Sequence, residues 1–342
     1  MRRGHVMNWW GWLGVLLAMF LPVAACGGSG PEMSGVGGDT GQFRIAVVPK
    51  GTSHDFWKAI HVGALRAEQE FGNVEVIFRG PEREDNRDQQ ISLVQNLISS
   101  GVDAIVLAPV DQHALVPSVR LATQSGIPVI VFDSGLAAEA GTDYVSYVAT
   151  PNVEGGRIAG RRMGELLEGR GRVLLLRHAE GSESTMRREE GFVDALSDFT
   201  GIELIDPKRY AGVTTATAQI ASESLLTIYD DVDGIFCANE SCSFGLLLAL
   251  RSRGLAGDIR LVGFDSNERL VTALEQGELD GLVVQNPVEM GYLGVKTAVD
   301  HLQGATVEIL QDTGVTLATR ENMHDPAIAE LLTPDLSRLF ER

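Results

Sequence analysis

Four polar side chains each end an apolar run: Asp133 in VIVFD, Asn239 in GIFCAN, Asp265 in LVGFD and Gln285 in GLVVQ. Carboxylates and carboxamides offer several donors and acceptors in one plane, which is what neighbouring hydroxyls on a small ring require. Taken singly, each is accounted for as a helix cap or turn former. Four at equivalent places, two or more in each half of the chain, point to a shared edge. A fifth strand end carries Ser53-His54-Asp55-Phe56-Trp57 after the run Ile45–Val48. Either aromatic alone could simply pack the first helix onto its sheet. Facing the four polar ends, Phe56 and Trp57 instead form a platform for the C–H side of a ring. Enzyme chemistry would need a nucleophile with its base, a metal cluster or a poised carboxylate pair, and none occurs at recognisable spacing. Gly155-Gly156-Arg157-Ile158-Ala159-Gly160 has the wrong spacing and context for a dinucleotide fingerprint and reads as close helix packing.

The elements that must position these residues alternate. Helix 57–71, strand 74–78, helix 87–100, strand 104–108, helix 114–125 and strand 128–132 follow the first strand, and strand 144–149 closes that half. The runs are bounded by Gly or Pro, and the strands are continuously apolar, as in βαβ units of a parallel sheet. By the fold rule their loops gather at the carboxyl edge. At Thr150-Pro151-Asn152 the series restarts: helix 153–167, then strands 172–177, 202–208, 234–238 and 260–264 alternating with helices 186–197, 216–229, 244–253 and 268–276. Strand 281–284, helix 288–302 and strand 307–311 follow, and residues 325–340 read as one or two short surface helices. The expected fold class is α/β, with two Rossmann-like domains.

The first 25 residues carry Arg2, Arg3 and the apolar run Trp9–Ala25, the plan of a secretory signal peptide. Leu21-Pro22-Val23-Ala24-Ala25-Cys26 resembles a bacterial lipobox, in which Cys26 becomes the lipidated first residue of the mature chain. Residues 26–42 then form a lipidated cysteine and a Gly-rich tether. Loss of the leader takes the formal net charge from −18 to −20, since it holds two arginines and no acid. That acidity argues against a nucleic-acid partner. Cys237 and Cys242 are read as two small buried residues of a strand-to-helix junction, in preference to a local disulfide. No metal spacing is present, and no cofactor is expected.

SHDFW, VIVFDSGL, STMRREEGF, GIFCANES, RLVGFDSNE and VVQNPVEMGYLG, in this order, resemble the periplasmic sugar-binding proteins of the ribose-binding type, the type I substrate receptors of ABC importers. The resemblance implies two domains joined by three crossings near Thr150-Pro151, Gln285-Asn286 and Asp312–Gly314. Residues 43–150 with 286–312 would form one domain, and 151–285 with 313–342 the other. It also implies a non-enzymatic monomer at the periplasmic or outer face, with a sugar or polyol ligand and a permease partner. Phe56 and Trp57 would sandwich the ligand with His54 or Asp55 nearby, and Asp133, Asn239, Asp265 and Gln285 would accept from its hydroxyls. Two departures from the ribose type are read here. Ser134 stands where relatives have an arginine, and Met186, with Arg187 beside it, stands where a second arginine is expected. Both losses imply a less basic pocket. A ligand sensor feeding a membrane kinase or chemoreceptor is the alternative role. Repressors that share the two-domain core need an N-terminal helix-turn-helix, which the leader replaces.

Overall fold

The computed structural model describes residues 41–340. The leader, Cys26 and all of the tether except Gly41 and Gln42 lie outside these residues. Strand β1, Phe43–Val48, is fully buried from Ile45 onward because helices cover both of its faces. It pairs in parallel with β2, Val74–Phe78, and with β3, Ala104–Leu107. With β4 (Val129–Phe132), β5 (Ser146–Ala149) and the late β11 (Leu310–Asp312) they form a six-stranded sheet of order β11-β5-β4-β3-β1-β2.

The second sheet repeats the plan. Strands β6 (Arg170–Leu176), β7 (Gly201–Ile205), β8 (Gly234–Cys237), β9 (Arg260–Phe264), β10 (Gly281–Gln285) and β12 (Val315–Ala318) take the order β12-β10-β9-β8-β6-β7. Each sheet therefore reverses direction next to its own first strand, and that reversal opens a crevice at the carboxyl ends. We call each sheet with its helices a lobe. The chain changes sheet between Ala149 and Arg170, between Gln285 and Leu310, and between Asp312 and Val315. Strand β12 was not expected from the sequence. It is the antiparallel member, a half-buried edge of four residues after Gly314.

The lobes are built on close helix pairs. Helix α4 (Asn152–Leu166) meets α5 (Glu183–Leu196) so tightly that a Cβ on Gly156 would fall 1.9 Å from the Arg188 carbonyl oxygen. The glycines of GGRIAG are thus packing glycines, as read from the sequence. The first lobe pairs α1 (Asp55–Phe71) with α9 (Pro287–Leu302) in the same manner. One expectation is corrected: Cys237 and Cys242 are joined in a disulfide. Cys237 ends β8 and Cys242 lies in the first turn of α7 (Glu240–Arg253), so the tight turn brings their Cα atoms to 5.6 Å, within disulfide reach.

Candidate functional site

Asp133 and Asp265 follow Phe132 and Phe264 at the ends of β4 and β9. Both adopt left-handed backbone, with φ of 59° and 64°. That conformation costs a non-glycine residue about 1–2 kcal/mol, and here it recurs at equivalent places in both sheets, where it turns a carboxylate into the gap between the lobes. Asp133 Oδ2 lies 2.9 Å from Nζ of Lys50, a residue 4 % exposed just beyond β1, but outside hydrogen-bond alignment with it. Asp265 Oδ1 accepts from Gln285 Nε2 at 2.6 Å, and Arg188 Nη1 approaches its Oδ2 at 3.7 Å. Burial raises the Asp265 carboxyl above its ordinary value, against the pull of Arg188 and Gln285.

Arg188 is held from three sides. Nε donates to Asn152 Oδ1 at 2.8 Å, Nη1 to the Ala238 carbonyl at 3.0 Å, and the guanidinium lies 4.0 Å from the Phe264 ring centroid. Nη2 is buried with no partner. Asn239 caps α7 by accepting from the Cys242 amide at 3.2 Å, so the bland reading of that residue is correct. Its side chain lines the cavity as well.

Phe56 and Trp57 lie edge to face, ring centroids 4.9 Å apart, and Trp57 meets Phe132 in the same manner at 6.3 Å. Both rings belong to the core of the first lobe while also lining the cavity. Trp57 Nε1 donates to Glu84 Oε1 at 2.6 Å, and His54 Nδ1 lies 2.9 Å from the same oxygen. His178 Nε2, from the other lobe, stands 3.3 Å from Glu84 Oε2. Burial opposes charge on His54, yet Glu84, then Glu240 and Asp265, raise its pKa to about 9. Burial likewise opposes the Glu84 anion, but His54 and the hydrogen bonds from both histidines hold its pKa well below the ordinary range. Burial pushes His178 down, against the pull of Glu84. Glu240 is pushed up to about 7, chiefly by burial.

The expected residues do not all meet. His54, Phe56, Trp57, Asp133, Asn239, Asp265 and Gln285 do, around one shared cleft. Asp55 turns away and pairs with Lys58 on the helix surface at 2.6 Å. Ser134 is fully buried and accepts from the Ser184 amide across the lobes. Met186 and Arg187 face outward, and Arg187 pairs with Glu183 and Glu190. The expected arginine loss on α5 is therefore corrected. Helical phase of 100° per residue turns Ser184, Thr185 and Arg188 inward and the two residues between them out. The less basic pocket is corrected with it, since Lys50 and Arg188 put two buried cations into the wall. Lys50, Glu84, Ser184, Thr185, Arg188 and Glu240 were not anticipated. Lys50 is a polar residue one proline beyond a strand, close to the signal that singled out Asp133. Glu84 sits in an irregular loop, where no pattern marks it.

Two buried polar atoms of the cleft lining have no hydrogen-bond partner, Arg188 Nη2 and Gln285 Oε1, and Asp133 Oδ2 meets only the ion pair with Lys50. Leaving such an atom unmet costs about 1–3 kcal/mol, so each is a ready contact for a bound hydroxyl. Lys50, His54 and Arg188 face the acids Glu84, Asp133, Glu240 and Asp265, which leaves no surplus positive charge for an anion. Among the described residues, no group of three or more His, Cys, Asp or Glu could hold a metal ion.

Residues 45–306 match the periplasmic binding protein domain family. The chain belongs to the periplasmic binding protein family. It is 28 % identical over 297 residues to a D-ribose/D-allose-binding protein of Pseudomonas aeruginosa, covering 86 % of this chain and 90 % of that protein. A ribose import binding protein of Escherichia coli is 28 % identical over 281 residues, 81 % of this chain and 90 % of its own length. Among solved structures, an ABC transporter solute-binding protein from Agrobacterium vitis with bound D-fucose superposes with a TM-score of 0.82 at 32 % identity, covering 85 % of this chain and 100 % of that one. This periplasmic binding protein thus has the two-sheet type I fold of ABC sugar receptors, and its family consists of solute carriers, not enzymes. The family places it in the periplasm, and among the described residues no helix is long and apolar enough to cross a membrane.

Proposed function

We propose that this periplasmic binding protein is the lipid-anchored receptor of an ABC importer and takes one small uncharged polyhydroxylated ring, a sugar or polyol, into the cleft between its lobes. The observation that carries the reading is the pair of buried, unpartnered atoms Arg188 Nη2 and Gln285 Oε1, with Asp133 paired to Lys50 alongside, beside the Phe56 and Trp57 rings. Acceptors and donors stand beside an aromatic wall in the same cleft. The bound D-fucose of the Agrobacterium vitis protein and the bound myo-inositol of a Bacillus halodurans relative belong to this ligand class. Residues 43–150 with 286–312 close on residues 151–285 with 313–342 about the three crossings. Closure buries each hydroxyl against a fixed partner, so a ligand lacking one leaves a polar atom unmet, and selectivity arises without catalysis. A lipid on Cys26 holds the receptor beside its permease.

A thermal-shift screen of monosaccharides, polyols and cyclitols tests the reading. At least one should raise the melting temperature, and Asp133→Ala or Asp265→Ala should each abolish that rise. A rise that survives in both variants would place the ligand elsewhere.

A further inference from the structure

Half of the ten described α-helices cap their own first turn with a side chain. Asn86, Thr214, Asn239, Asn267 and Asn286 each accept from an amide of the helix they begin. The two helices whose N-termini face each other across the cleft do not. On α1 the capping position is His54, whose ring is engaged with Glu84. On α5 it is Ser182, whose hydroxyl makes no cap and lies 3.4 Å from Lys50 Nζ.

The freed amides are nonetheless satisfied, each from the opposite lobe. Ser184 N, in the first turn of α5, donates to Ser134 Oγ at 3.1 Å. Phe56 N, at the equivalent position of α1, donates to Glu240 Oε2 at 3.3 Å. Two further bonds tighten the α5 side: Lys50 Nζ donates to Ser184 Oγ at 2.9 Å, and Gly135 N donates to Glu183 Oε2 at 2.9 Å. All four groups of atoms meet only when the lobes are together.

We propose that closure is held by reciprocal capping, in which Ser134 of the first lobe caps α5 of the second and Glu240 of the second caps α1 of the first. The opened receptor leaves two helix amides to water, and the closed receptor pairs both with oxygens fixed in the facing lobe. This makes Ser134 a positioning residue for closure instead of a ligand contact. It also ties the angle of Phe56, whose amide is one of the two, to the approach of the other lobe. The inference rests on the reading of the cleft as a hinged ligand site.

Amide hydrogen exchange on the full chain, with no sugar added, tests it. Ser134→Ala should speed exchange across residues 183–186 about fivefold, the loss of one net hydrogen bond. It should speed residues 55–58 of α1, which Ser134 does not touch, by a similar factor, because one opening event frees both turns. Ser134→Thr, which keeps the hydroxyl, should return both segments to the original rate. Glu240→Ala should reproduce the paired acceleration from the other side. Acceleration confined to the helix that lost its partner, or none in either, would overturn the proposal. Because no sugar is present, failure of the polyol reading would appear in the thermal-shift screen and leave this measurement intact.

Discussion

Glu84 governs two histidines and the indole of Trp57, and its carboxylate is the charged hub of the first lobe's cleft wall. Trp57→Phe keeps the ring and removes one donor from that carboxylate. We expect a stability loss of about 2 kcal/mol, measured by chemical denaturation, with the Phe56 contact preserved. A loss near zero would mean that water replaces the indole. The titrating groups set a pH dependence whose sign can be worked out. His54, raised from 6.5 to about 9, contributes stability that is complete below 6.5 and is lost as pH climbs through about 9. Glu240, raised from 4.5 to about 7, contributes stability that is complete below 4.5 and declines as pH rises through about 7. Both fall with rising pH, whereas Glu84, held low, loses its contribution only as pH falls below the ordinary carboxylate range. His178, pushed down, works the other way as pH rises toward 6.5, but the two raised groups together outweigh it, and the unliganded protein should melt at a higher temperature near pH 5 than near pH 8. Glu240→Gln should flatten the slope between about pH 5 and about pH 7, and an unchanged slope would remove Glu240 from this account.

The contact between α4 and α5 places Arg188 in the cleft wall, and small residues permit it. Gly156→Ala drives a methyl group to within 1.9 Å of the Arg188 carbonyl, a backbone atom that cannot swing aside. The helices must separate, at about 1–3 kcal/mol for overpacking, and the guanidinium moves with α5. Lower melting temperature and weaker ligand response should appear together; a stable variant with lost binding would mean that the helices slide instead of parting. The packing role of these glycines was legible in the sequence because the dinucleotide pattern failed around them. The inward residues of α5 were not read correctly. The resemblance places an arginine at Met186, six residues before Phe192, whereas the buried face is decided by the helix's rotation against its sheet. That rotation selected Arg188, two residues further on.

The whole molecule joins two sheets of the same strand order through three changes of sheet, and its cleft is made by both. The proposed lipid anchor is tested at this scale. Cys26→Ser should move the protein from the membrane fraction to the soluble fraction after cell lysis, and continued membrane association would point to retention of the leader. Ligand response should be unchanged in the released protein, since the cleft is assembled wholly from residues after Gln42.

Alternating apolar runs and amphipathic stretches determined the parallel α/β lobes, and polar residues directly after strands determined one rim of the cleft, because strand order sends those ends to one edge. The same local rules reach Lys50. They do not reach the Glu84 to His178 contact, the capping of α5 by Ser134 or the pairing of Cys237 with Cys242. The first two join residues from different lobes, and the third depends on how tightly β8 turns into α7. Contacts between distant parts of a chain follow from how its layers dock, and only the tertiary structure decided them.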